Sequence, residues 1–142
     1  MTLNFSQTVL IDRLQALTRA LDADTAPARI NLYSGPRPAP GATVTSQTLL
    51  ASIPFQKPSS GGVVNNVLTL NYVAGPVLAV GTGVAVWARF VSGNGAYVAD
   101  MDVSLILMPD GTAGTGEIRL DDTQVYAGGS VTIKDVASLT EL

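Results

Sequence analysis

Between residues 6 and 23, apolar side chains fall at Val9, Leu10, Leu14, Leu17 and Leu21, with mostly polar residues between them. Steps of three and four put these positions on one face of a helix, so the pattern predicts a single amphipathic helix. Ser6 is placed to cap its start. Val9 rather than an acid or amide stands three residues on, so no reciprocal capping box forms. Asp22, Asp24 and Pro27 mark the exit.

From residue 29 the period changes from that of a helix to that of a strand. A short strand is expected over 29–34. The sequence Gly35-Pro36-Arg37-Pro38-Ala39-Pro40-Gly41 breaks it, because three prolines in five residues cannot sit in a hydrogen-bonded ladder. A second strand is expected over 48–55, closed by Pro58 and a Ser59-Ser60-Gly61-Gly62 turn. A third covers 63–74, with Asn65-Asn66 as a bulge or turn. A short one follows at 76–80. Residues 83–92 give the clearest alternation, with Val84, Val86, Ala88 and Phe90 on one face and Ala85, Trp87, Arg89 and Val91 on the other. After the Gly93-Asn94-Gly95 turn, 96–108 reads as one strand or two. Segments 117–120, 124–126 and 130–136 complete the chain, and the glycine-rich stretch 111–116 reads as a flexible loop.

Short strands with turn signals every 8–12 residues point to an all-β protein, an antiparallel β-sandwich of jelly-roll-like form, with one N-terminal amphipathic helix or arm. The organisation expected is a helical arm over 1–28 and a β-sandwich domain over 29–142. A helix this short is marginal alone in water, so its leucine face must pack on something. That partner is either its own sandwich or a neighbouring subunit.

Composition sharpens this picture. Charged residues are 13% of the 142-residue chain, about half the ~25% usual in globular proteins. Surface charge opposes association, so a chain poor in it is suited to burying surface against partners. The net charge is −3, and the eight basic residues form no cluster. Nucleic-acid binding and a polybasic membrane patch both need grouped Lys and Arg, and neither is expected. There is no cysteine and no histidine. Thiol chemistry is excluded, and so are the commonest general base and the commonest transition-metal ligand. No apolar run reaches the ~18 residues of a membrane helix, and no signal peptide is visible.

The remaining candidate chemistry is thin. Asp100 and Asp102 would project from one face of a strand, near enough to share a cation, with Asp121 and Asp122 as further oxygen donors. Calcium demands six or more oxygens around a tight turn, so solvent-facing charge is the favoured reading. Gly111 to Gly116 is no phosphate loop, since neither a Lys-Ser/Thr pair nor a helix follows it. Trp87 and Arg89, two apart on one strand face, suit a cation–π pair. The favoured reading is a core Trp with the Arg reaching to the rim.

Ile30-Asn31-Leu32-Tyr33-Ser34-Gly35-Pro36-Arg37-Pro38 resembles the opening strand of a group of small virion structural proteins of tailed bacteriophages. The resemblance continues through Leu49-Leu50-Ala51 and Phe55, and through Gly83-Val84-Ala85-Val86-Trp87-Ala88-Arg89-Phe90. It ends with Leu120-Asp121 and the stretch from Thr123 to Ile133, covering roughly residues 29–136. It implies a jelly-roll-like protein built into the particle, most like a capsid cement or decoration protein. Such a protein has no enzymatic activity and needs no cofactor. It binds the major capsid protein and its own copies as a homodimer or homotrimer on the capsid surface, after synthesis in the host cytoplasm. This chain departs from that pattern by the 28 residues ahead of the motif, an addition that would equally suit a tail, baseplate or fibre-associated protein contacting the host. The interface candidates are Leu10, Leu14, Leu17 and Leu21 on the helix, with Arg37, Pro38 and Pro40 in the proline-rich loop.

Overall fold

The computed structural model describes residues 3–140 of the chain. Its helix, α1, spans Gln7–Leu21. The Ser6 side chain accepts the Val9 amide at the N-terminus, and the Asp22 amide donates to the Thr18 carbonyl at the other end. Twelve strands follow among the described residues: β1 Arg29–Ser34, β2 Thr48–Val64, β3 Val67–Tyr72, β4 Val77–Leu78, β5 Gly83–Val84, β6 Trp87–Val91, β7 Tyr97–Leu105, β8 Ile118–Leu120, β9 Gln124–Val125, β10 Ser130–Val131, β11 Ile133–Val136 and β12 Leu139–Thr140.

The main sheet has eight strands in the order β11-β8-β7-β6-β1-β2-β3-β12. Its pairs are antiparallel except β7 with β8. The two outermost strands, β11 and β12, are separated in the chain only by Ala137 and Ser138. A sheet whose first and last strands are nearly contiguous must curl back on itself. The Tyr72 phenol reports that approach: burial, and then the Asp135 carboxylate on the far strand β11, hold its pKa above the ordinary value. Two small ladders, β10 with β4 and β5 with β9, complete an all-β sandwich of half-barrel form.

The core fills the inside of this curl. Ile30 and Leu32 of β1, Leu50, Ile53 and Phe55 of β2, Leu68 and Leu70 of β3, and Ala88 and Phe90 of β6 meet Ile118, Leu120, Ile133 and Val136 from the other end. Phe55 and Phe90 pack edge to face, with centroids 5.1 Å apart. Helix α1 lies on its own sheet and gives Leu14 and Leu21 to the same core, with Leu17 packed at its edge. Burying each such leucine stabilises the fold by about 1.5–3 kcal/mol. The helix is therefore part of the sandwich's own core, not an arm reaching to a neighbour.

Three strand readings change. The second strand does not stop at residue 55 but runs on past Pro58. Its ladder with β3 is interrupted between Phe55 and Ser60, where Pro58 has no N–H to contribute. The Asp22 carboxylate at the helix end satisfies the interruption, accepting from the backbone N–H and hydroxyl of buried Ser59. Lys57 reaches the carbonyls of Asp22 and Asp24, placing a cation at the negative end of the helix. The turn lies instead at Asn65-Asn66, both at positive φ (51° and 63°), the conformation that a two-residue hairpin turn requires. The long strand expected over 83–92 is two strands. Ala85 faces the core and Val84 and Val86 are exposed, so the alternation slips one step before β6 begins.

Candidate interaction surfaces

Strand β6 is buried on both faces. Ala88 and Phe90 point to the core. Trp87, Arg89 and Val91 point to the opposite face and are buried too, and the proline-rich loop, residues 35–47, reaches Arg89 through the Ala42 carbonyl. Tyr33 of β1 stacks on Trp87 with centroids 4.5 Å apart. The Arg89 guanidinium holds Asp100 through two bonds, Nε to Oδ1 at 2.7 Å and Nη2 to Oδ2 at 3.0 Å. It also donates to the Ala42 carbonyl at 2.8 Å and lies over the Tyr97 and Trp87 rings. The hydrogen bond to Asp100 raises the Arg89 pKa further, so the cation is permanent. Arg89 is thus no rim residue. It is a buried post joining strand β7 to the loop above.

The loop itself is fixed. Gly41, at φ +73°, sits in a turn closed by the Ala42 amide on the Ala39 carbonyl, with Pro40 before it. A Cβ on Gly41 would touch the Tyr97 ring at 3.4 Å. Gln47 donates to the Pro36 carbonyl and accepts the Thr45 amide. Of the loop candidates, Arg37 is exposed and pairs with Asp102 at 3.0 Å, Pro38 is half-buried and Pro40 is exposed. The loop therefore presents Arg37 and Pro40 outward on a rigid frame. The helix candidates divide differently. Leu14 and Leu21 are buried in the chain's own core, and Leu10 and Leu17 are half-buried. The helix end leaves Leu3, Phe5 and Val9 exposed instead.

Of the two carboxylates read as solvent-facing charge, Asp102 is exposed and pairs with Arg37, whereas the Asp100 side chain is buried against Arg89, so the two are engaged separately. Asp121 pairs with Lys134 at 3.0 Å, and Asp122 accepts the Gln124 amide. These residues line an open cleft of 290 Å³ with Ser130 and Thr132. Among the described residues no group of three or more acidic, His or Cys side chains is placed to hold a metal, and no helix is long and apolar enough to cross a membrane.

The surface that the sequence reading missed is a hairpin. Residues 106–114 leave the end of β7, turn, and return to β8. Its base is tied by the Ile106 amide on the Leu120 carbonyl and the Gly114 amide on the Ile106 carbonyl, with a bridge between Leu107 and Ala113. Its tip closes with the Gly111 amide on Met108 and the Met108 amide on Thr112. Gly111 lies at φ +87°, and Asp110 accepts from both the amide and the hydroxyl of Thr112. A Cβ on Gly114 would lie 1.7 Å from the Leu105 carbonyl oxygen, so only glycine lets the returning strand pass. The stretch 111–116 is a specified turn and return, not a flexible loop. This rigid hairpin carries Ile106, Leu107 and Met108 in solvent, with Leu107 62% exposed. The available signal was the unbroken apolar run from Leu105 to Met108 ahead of Pro109-Asp110-Gly111.

No protein-family model matches the chain, and neither the curated proteins nor the solved structures contain a match.

Proposed function

We propose that this chain is a non-enzymatic structural protein of a tailed-phage virion. In this reading it binds the assembled head and bridges neighbouring major capsid protein subunits as a cement or decoration protein. The observation that carries the reading is the rigid hairpin with Ile106, Leu107 and Met108 exposed at its edge. Apolar side chains on a backbone already held by its own hydrogen bonds need no backbone ordering on docking, and they gain from being covered. The low charge content and the resemblance of residues 29–136 to virion proteins add support. A protein touching several shell subunits at once forces a departing subunit to break several contacts together. Because it binds the assembled shell and not separated subunits, it stabilises the shell by mass action.

A tail or fibre protein contacting host carbohydrate would present an aromatic platform. Two tyrosines are exposed, Tyr126 at 64% and Tyr97 at 44% with Arg89 over its ring, so the choice between the two readings falls to stoichiometry. The test is the copy number per purified particle relative to the major capsid protein. A ratio of one, one-half or one-third fits a shell-wide cement. A few dozen copies would move the protein to the tail or a vertex. Leu107→Asp should leave the melting temperature of the isolated protein unchanged while removing it from particles. Normal incorporation of that variant would discard the hairpin as the docking surface.

A further inference from the structure

We propose that Asn94 is a latent deamidation site, held shut by the carboxylate of Asp24. The chain has six asparagines, and Asn94 is the one followed by glycine. The reaction needs only water. The Gly95 backbone nitrogen loses its proton and attacks the side-chain Cγ of Asn94, forming a C–N bond. Ammonia leaves with the former amide nitrogen, and a five-membered succinimide remains. Water then adds to either carbonyl and opens the ring to Asp or isoAsp. A glycine at the attacking position has no Cβ to obstruct the approach.

The fold restrains every atom that must move. The Gly95 amide is engaged, donating to the Ser92 carbonyl at 2.9 Å. The Asn94 side-chain nitrogen donates to Asp24 Oδ1 at 2.9 Å, and the Asn94 backbone nitrogen donates to Asp24 Oδ2 at 2.9 Å. One carboxylate thus grips both the backbone and the reacting side chain. The turn is also pressed against the segment after the helix, since a Cβ on Gly93 would lie 2.2 Å from the Ala26 carbonyl oxygen. Ring closure requires the Asn94 side chain to swing from Asp24 towards the Gly95 nitrogen, so release of Asp24 gates the chemistry.

The product is not neutral for the fold. Asp at position 94 replaces a donor with a carboxylate facing the Asp24 carboxylate at hydrogen-bonding distance, and the two repel. IsoAsp adds a methylene to the backbone of the turn that the Gly95 amide closes on the Ser92 carbonyl, and so changes its geometry. Either product loosens the tie between the β6–β7 turn and the exit of α1. The change is one-way, so Asn94 records how long and how often that tie has opened.

The experiment incubates the purified chain at mildly alkaline pH and follows Asn94 by peptide mass mapping, as the mass gain separating Asp from Asn. The wild type, Asp24→Ala and urea-unfolded wild type are compared. Loss of the charged hydrogen bonds should speed conversion in Asp24→Ala by about three- to tenfold, with the unfolded chain fastest. Asp24→Asn, which keeps an acceptor oxygen but no charge, should fall between wild type and Asp24→Ala and serves if the alanine variant does not fold. Equal rates in the wild type and the folded Asp24 variants would overturn the gate. Absence of conversion at Asn94 in the unfolded chain would overturn the site.

Discussion

Replacing Asp100 by alanine should destabilise the fold more than any change at an exposed carboxylate of this chain. The side chains of Arg89 and Asp100 are only 8% and 5% exposed. Truncating Asp100 leaves the guanidinium buried, still charged, with the Ala42 carbonyl as its one remaining oxygen partner. Breaking a buried pair on one side costs about 3–5 kcal/mol, mostly the desolvation of the charge left behind. A domain of this size loses about 3–4 °C of melting temperature per kcal/mol, so the expected fall is roughly 9–20 °C. The loss should concentrate where Arg89 is the post, and limited proteolysis should cut residues 35–47 faster in Asp100→Ala than in wild type. The double replacement Arg89→Leu with Asp100→Leu removes the charge together with its partner. It should melt closer to wild type than Asp100→Ala does. A single-mutant loss under about 1 kcal/mol, with unchanged loop cleavage, would refute the claim that the loop seals this pair from water.

Two further outcomes follow from the way the helix is held. Leu21→Ala should cost about 2–5 kcal/mol in thermal or denaturant melting, because Leu21 is fully buried where helix and sheet meet. A loss below about 1 kcal/mol would mean that the helix docks only loosely. Acid should loosen the same end of the helix: the hydrogen bonds from Ser92 and then Asn94 lower the Asp24 pKa. A lowered pKa contributes stability above the ordinary carboxylate value, and that contribution is lost as pH falls through the depressed one. Hydrogen exchange at residues 20–24 should therefore rise in that acid range, and in Asp24→Asn this part of the rise should vanish.

The alternating and helical periods by themselves determined the class of fold, the position of the helix and most of the strands. These signals are local, since a side chain's face follows from its place along its own element. The Ser6 cap and the Asn65-Asn66 turn were legible for the same reason. Other features were decided by residues distant in sequence. Strand β2 continues past Pro58 because Asp22, 37 positions away, satisfies Ser59. The leucine stripe fitted docking on a neighbour as well as on its own sheet, and only the curl of the sheet supplied the surface that buries Leu14 and Leu21. Arg89 looked like a rim residue because nothing in its neighbourhood announces that Asp100 and the carbonyl of Ala42 close over it. Period encodes which way a side chain points. What covers it depends on long-range packing, and that is why Leu14 and Leu21 turned inward while the hairpin at Leu107 was left facing water.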